Sequence, residues 1–155
     1  MYQYKESGLD NVYLVNGYRV HDTPYGNGVS IDNTEGLNQA IGRWLISLPK
    51  PLIGVELRFF RLEMEATQKD LAGILGTTEQ TLRLWEKHRR KAIPGPADRL
   101  LRALYGEYVG GDGSVRRMVE RLARLDQVEN ARGNFRAINH RWRPAASSTK
   151  PGRAP

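Results

Sequence analysis

The stretch "TQKDLAGILGTTEQTLRLWE", residues 67–86, leaves a chain few options besides two short helices crossing at a tight turn. Thr67 fits an N-cap whose hydroxyl accepts a free backbone N–H, and Asp70 three residues on suits the positive end of a helix. Thr77 repeats the arrangement with Gln80 at the third helical position, the pattern of a capping box. Between the two starts, Gly76 can take the positive φ that a short interhelical turn requires, and Ala72 is small enough for the second helix to cross close by. Leu71, Leu75, Leu82 and Trp85 then fall on the inward side. Thr78, Glu79, Gln80 and Arg83 are left facing outward at the start of the second helix.

Helical spacing continues on both sides. Gly54 to Met64 puts Leu57, Phe60 and Met64 on one stripe, and Ala97 to Tyr108 turns Leu100, Leu101, Leu104 and Tyr105 inward. Upstream, "TEGLNQAIGRWLISL" from Thr34 spaces Leu37, Ala40, Ile41, Trp44, Leu45 and Leu48 as a helix that should stop at Pro49-Lys50-Pro51, the expected seam of the chain. Residues 11–20, "NVYLVNGYRV", predict a hairpin around Asn16-Gly17, because both central turn residues need positive φ; Val29 and Ile31 suit a further short strand. Val115, Met118, Val119, Leu122 and Leu125 make an amphipathic stripe over 114–130, and the end, 131–155, has too few apolar residues to pack and is expected to be disordered.

With 155 residues there is room for one domain of ordinary size and a small appendage. The formal charge is +7 and uneven: residues 1–50 carry 4 basic and 5 acidic side chains, residues 51–155 carry 20 and 12. The latter stretch should attract a polyanion. Absence of cysteine excludes disulfides, thiolate metal sites and cysteine nucleophiles. The start, "MYQYKESGLD", does not read as a signal peptide, and no apolar run approaches the ~20 residues of a membrane span, so a cytoplasmic location away from membranes is expected. His21, His88 and His140 are widely separated and lack an HExxH pattern; Ser7, Asp10 and His21 have no hydrolytic spacing. "GEYVGGDGS" lacks the Gly-Lys-Ser/Thr ending of a phosphate loop and reads as a linker with Asp112 or Ser114 capping the next helix. No catalytic residue, metal or cofactor is expected, and hence no enzyme.

The outward face fits what B-DNA offers. A major groove about 12 Å wide admits one helix, whose N-terminal end brings side chains to base edges. Gln80 can offer a bidentate amide to adenine, Arg83 a fork to guanine, Glu79 an acceptor for a cytosine amino group, and Thr78 a methyl or hydroxyl. Gln68, at the start of the first helix, can reach a phosphate. Lys69, Lys87, His88, Arg89, Arg90 and Lys91 suit phosphates too, which fix register without reading sequence and make binding salt-dependent.

"TQKDLAGILGTTEQTLRLWE" closely resembles the helix-turn-helix of the Cro/C1-type (Xre) regulators, with the lambda-repressor-like fold of phage repressors and many antitoxins. The resemblance covers roughly Leu52 to Tyr108. It implies the same base-reading positions, Thr78, Glu79, Gln80 and Arg83, with Gln68 opening the motif. Members often carry Gly-Leu before the Thr-Gln pair, where this chain has Glu65-Ala66; a positive φ at Glu65 would cost about 1 kcal/mol. Glu79 stands where a neutral amide is common, which alters the bases preferred. More loosely, "PLIGVELRFFRLEMEATQKDLAGILGTTEQTLRLWEKH" looks like the C-terminal half of the MqsA-like antitoxins, whose zinc-finger cysteines this chain lacks.

The fold class expected is therefore mainly α: a helix-turn-helix bundle at 52–109, preceded by a small β-hairpin unit and amphipathic helix at 1–48, and followed by an amphipathic helix at 114–130 and a disordered basic tail at 131–155. The function implied is a duplex-DNA-binding transcriptional repressor or autoregulator on an operator. A homodimer is expected because one such motif reads too few base pairs alone, with the 114–130 stripe or the N-terminal unit as the seam. The alternative is an antitoxin whose residues 1–48 bind a toxin or other protein partner.

Overall fold

The computed structural model describes residues 1–111, 113, 116, 117, 120 and 133–145, which fall in two units, 1–123 and 124–155. The first unit is helical with small antiparallel strand pairs. Helix α1 (Thr34–Ser47) begins at Asn33, whose side chain accepts the Gly36 N–H at 3.1 Å, and ends as Leu48 turns extended ahead of Pro49. In α2 (Gly54–Glu63), Glu56 reaches back to the Ile53 N–H at 3.0 Å and pairs with Lys50 at 2.6 Å. Helices α3 (Gln68–Leu75), α4 (Glu79–Lys87) and α5 (Gly95–Gly110) follow, the last with Pro96 in its first turn, where a missing N–H costs nothing.

The α2–α3 and α3–α4 turns are the same device. After α2, the Ala66 N–H bonds to the Arg61 carbonyl and the Glu65 N–H to that of Leu62; after α3, Thr77 bonds to Ala72 and Gly76 to Gly73. Both are Schellman motifs, which need a left-handed residue: Gly76 at φ 73° and Glu65 at φ 53°. Gly76 is where the sequence places the left-handed residue, and Glu65 takes the positive φ that the sequence marks as costly.

Among the described residues of the first unit, the helices and the N-terminal strands share one apolar cluster. Leu52, Leu57, Phe60, Leu71, Leu82, Leu101 and Tyr105 are wholly buried, and Tyr4, Leu9, Val12, Leu14, Ile41 and Leu45 join the same cluster. Each such leucine contributes about 1.5–3 kcal/mol by burial. The seam expected at Pro49-Lys50-Pro51 therefore does not divide the unit into separate cores. Gly42 lets α1 approach α5, since a Cβ there would run into the Tyr105 ring. Trp44, expected inward, is 42% exposed on the flank of the Ile41–Leu45 stripe.

The hairpin expected at Asn16-Gly17 is not formed. Strand β1 (Tyr2–Gln3) pairs with β2 (Tyr13–Leu14), whereas β3 (Tyr18–Thr23) pairs with β4 (Gly26–Ile31) around Pro24-Tyr25. Gly17 has φ 77° but Asn16 does not join it in the left-handed region, as a two-residue primed turn would demand. The register used sets Tyr18 against Ile31, and both pack on the core; the rejected one would have relied on Val15, which is 78% exposed. Val29 and Ile31 do lie in a strand, β4.

Of the helix expected at 114–130, Arg116, Arg117 and Glu120 are helical and exposed, while the stripe Val115, Met118, Val119, Leu122 and Leu125 lies outside the described residues. In the second unit, the tail expected to be disordered contains a hairpin: β5 (Phe135–Ile138) pairs with β6 (Arg141–Pro144). Its turn is Asn139-His140, at φ 50° and 61°, a primed geometry that Asn and His tolerate better than most residues. Its eight strand residues are all exposed. Among the described residues no helix is long and apolar enough to cross a membrane.

Candidate nucleic-acid interface

Helix α4 starts one residue later than the capping box at Thr77 predicts. Thr77 is spent on closing α3, its N–H bonded to Ala72, so Thr78 becomes the cap: its hydroxyl accepts the Thr81 N–H at 3.2 Å and bonds the Thr81 hydroxyl at 2.9 Å. Gln80 is freed from capping and stands exposed beside Glu79. For Thr78 only the methyl remains uncommitted. On the opposite side Leu82 is wholly buried and Trp85 half-buried.

Five side chains link the outer face to the interior. Arg61 on α2 grips the buried Glu86 carboxylate at 2.6 and 3.2 Å and also donates to the Ala66 carbonyl at 3.2 Å. The second Glu86 oxygen accepts the Gln68 amide at 2.6 Å. Gln68 in turn faces Arg83 at 3.5 Å, and Arg83 pairs with Glu79 at 3.2 Å. Gln68 is therefore half-buried and turned toward α4, not extended for a phosphate as its position suggests. Sequence reading missed Arg61 and Glu86. The available signal was a charged residue at the position four beyond Leu82, on the inward side of α4.

Lys87, His88, Arg89, Arg90 and Lys91 are all exposed, yet their backbone is fixed. The first N–H groups of α2, which have no partner inside the helix, bond outward: Gly54 to the Lys91 carbonyl at 3.1 Å and Val55 to that of Arg89 at 3.0 Å. A Cβ at Gly54 would strike the Trp85 and His88 carbonyls, so glycine is what allows α2 to seat on this segment. Ile93 bonds to the Leu52 carbonyl at 2.9 Å on the far side. Arg89 is engaged already, donating to the Gly8 carbonyl at 3.1 Å and facing Asp10 at 3.5 Å. Lys69 is exposed on the first turn of α3, whose cap Thr67 accepts the Asp70 N–H at 3.0 Å as predicted.

The three histidines stand on separate elements, His21 on β3, His88 after α4 and His140 in the β5–β6 turn. Among the described residues no group of three or more acidic or histidine side chains could hold a metal ion. Comparison of the chain with known protein families, with curated proteins and with solved structures found no match.

Proposed function

We propose that the chain is a sequence-specific duplex-DNA-binding regulator of the Cro/C1 (Xre) type, a cytoplasmic repressor or autoregulator without a catalytic step. In this reading α3 and α4 are the helix-turn-helix of a lambda-repressor-like domain at 52–109. The observation that carries it is the start of α4, where Glu79, Gln80 and Arg83 are exposed together on a helix whose other side is sunk in the core. Such a helix fits the major groove by its N-terminal end. Gln80 would address adenine, Arg83 guanine and Glu79 a cytosine amino group, with the Thr78 methyl available to thymine. Lys69, Lys87, His88, Arg90 and Lys91 would meet phosphates, and a dimer would set two such helices on successive half-sites.

The test is selection of binding sites from a random duplex library by the full chain, followed by competition between selected and scrambled duplexes. Gln80→Ala and Arg83→Ala should each relax discrimination by about 1–3 kcal/mol, while Lys87→Ala and Arg90→Ala should weaken all duplexes alike. No enrichment at low salt, or identical behaviour of the two groups of variants, would sink the reading.

A second activity, antitoxin-like capture of a protein partner, is favoured by the two-stranded β3–β4 hairpin, where Val20 on β3 is 57% exposed and Tyr25 in the connecting turn is fully exposed. Removing residues 1–48 would uncover the shared core, so a Val20→Lys/Tyr25→Ser variant is the cleaner probe. Loss of a co-purified partner with duplex binding intact supports this activity; equal recovery from both proteins refutes it.

A further inference from the structure

The β5–β6 hairpin sorts its side chains by face. Antiparallel register sets Arg136 against Arg143 and Ile138 against Arg141, so these four share one side. Phe135, Ala137, Trp142 and Pro144 occupy the other. Every one of these residues is exposed. Like charges directly opposite each other weaken a strand pair, and here Arg136 and Arg143 are opposed with Arg141 on the same face. None of the three has an ion-pair partner among the described residues. From Asn130 to the C-terminus the sequence holds 6 basic and no acidic side chains.

We infer that this arginine face is a second contact for duplex nucleic acid, which rests on the duplex-binding reading above. A two-stranded ribbon is narrow enough for the major groove, and guanidinium forks suit phosphate and guanine edges. Opposed arginines that weaken the hairpin alone become favourable when a polyanion lies across them. The apolar face does not supply a rival occupant of comparable weight. Four residues fall well short of the roughly 1,200 Å² that a stable protein interface buries. A base strand stacked on Trp142 and Phe135 would lie on the side away from the arginines.

Binding of the full chain to a mixed-sequence duplex, followed by fluorescence anisotropy across a salt titration, tests this. Counterion release predicts that Arg136→Gln/Arg141→Gln/Arg143→Gln makes the slope of log K against log salt shallower by about 2–3, because each lost phosphate contact removes about 0.9. The corresponding Arg→Lys triple keeps its charges and should keep the slope. An unchanged slope in the Gln triple, or an equal loss in the Lys triple, overturns the inference. So does tighter binding of the wild-type chain to single strands or to phosphatidylserine vesicles than to duplex. The Gln80 and Arg83 variants report separately: if they leave base preference intact while the Gln triple loses its salt slope, the α4 reading fails and the hairpin contact stands.

Discussion

Glu86 and Glu79 lie on the same helix and carry the same charge, but they answer to different physics. The Arg61–Glu86 pair has side chains 13% and 6% exposed, whereas the Arg83–Glu79 pair is 61% and 46% exposed. Exposed pairs contribute about 0–1 kcal/mol, so under the proposed function a base edge would draw Arg83 away from Glu79 at little cost. A buried pair broken on one side leaves an uncompensated charge; Glu86→Ala is expected to lower stability by about 3–5 kcal/mol, read as a fall in the urea midpoint at constant m. Glu79→Ala should move that midpoint little while changing base preference. Tyr105 poses a different test. Its hydroxyl is buried without a hydrogen-bond partner among the described residues, and burial, with Glu63 nearby and partly offset by Arg43, pushes its pKa from 10.0 up to about 12. The neutral phenol is the folded form, so stability from this group is complete below pH 10 and declines as pH rises through 12, because the unfolded chain releases the proton first. Tyr105→Phe removes the orphaned hydroxyl. Denaturant titrations at neutral and alkaline pH should find it no less stable than wild type at neutral pH and with a shallower alkaline decline; a steeper one would contradict the burial argument.

At the scale of elements, the two Schellman turns make an internal comparison, one with glycine at its left-handed residue and one with glutamate. Glu65 is exposed at φ 53° and makes no side-chain hydrogen bond or ion pair among the described residues, so nothing there offsets the strain of its Cβ. Glu65→Gly is expected to stabilise the protein by about 0.5–1 kcal/mol, whereas Gly76→Ala should destabilise it by at least as much; thermal midpoints of the pair decide this, and a destabilising Glu65→Gly would refute it. This turn chemistry was legible in the sequence because it is local: Gly76, Thr67 and the apolar stripe of α2–α5 speak through residues a few positions apart. The one-residue shift of the α4 cap was not legible, since both Thr77 and Thr78 can cap and only closure of α3 chooses between them. The β3–β4 register was missed for a related reason. Asn16-Gly17 is a good turn locally, but Tyr18 and Ile31 gain burial only if the chain turns later, at Pro24-Tyr25. The Asn139-His140 hairpin went unread because its apolar face stays exposed and its turn lacks glycine.

At the scale of the whole first unit, the Leu48–Leu52 connection is a clamp where the prolines suggest a seam. Arg102 on α5 donates to the Ile46 carbonyl at 2.9 Å, to that of Leu48 at 3.0 Å and to that of Lys50, while its Nε holds Asp98 at 2.6 Å. The other Asp98 oxygen accepts the Leu52 N–H at 2.7 Å. Arg102 and Asp98 thus hold the chain between α1 and α2 from below, with Leu45 and Leu52 both wholly buried in the shared core. Long-range pairings of this kind have no period in the sequence, whereas the two prolines are local and plain to see. If residues 1–48 and 52–111 share one core, they must unfold together. Variants retaining only Trp44, on α1, or only Trp85, on α4, should therefore give coincident urea transitions. Arg102→Met leaves Asp98, 7% exposed, without its cation and should lower both midpoints together by about 3–5 kcal/mol of stability. Trp44 reporting an earlier transition than Trp85 in the wild-type background would mean that the N-terminal segment is a separate unit after all, and that the α4 platform stands without it.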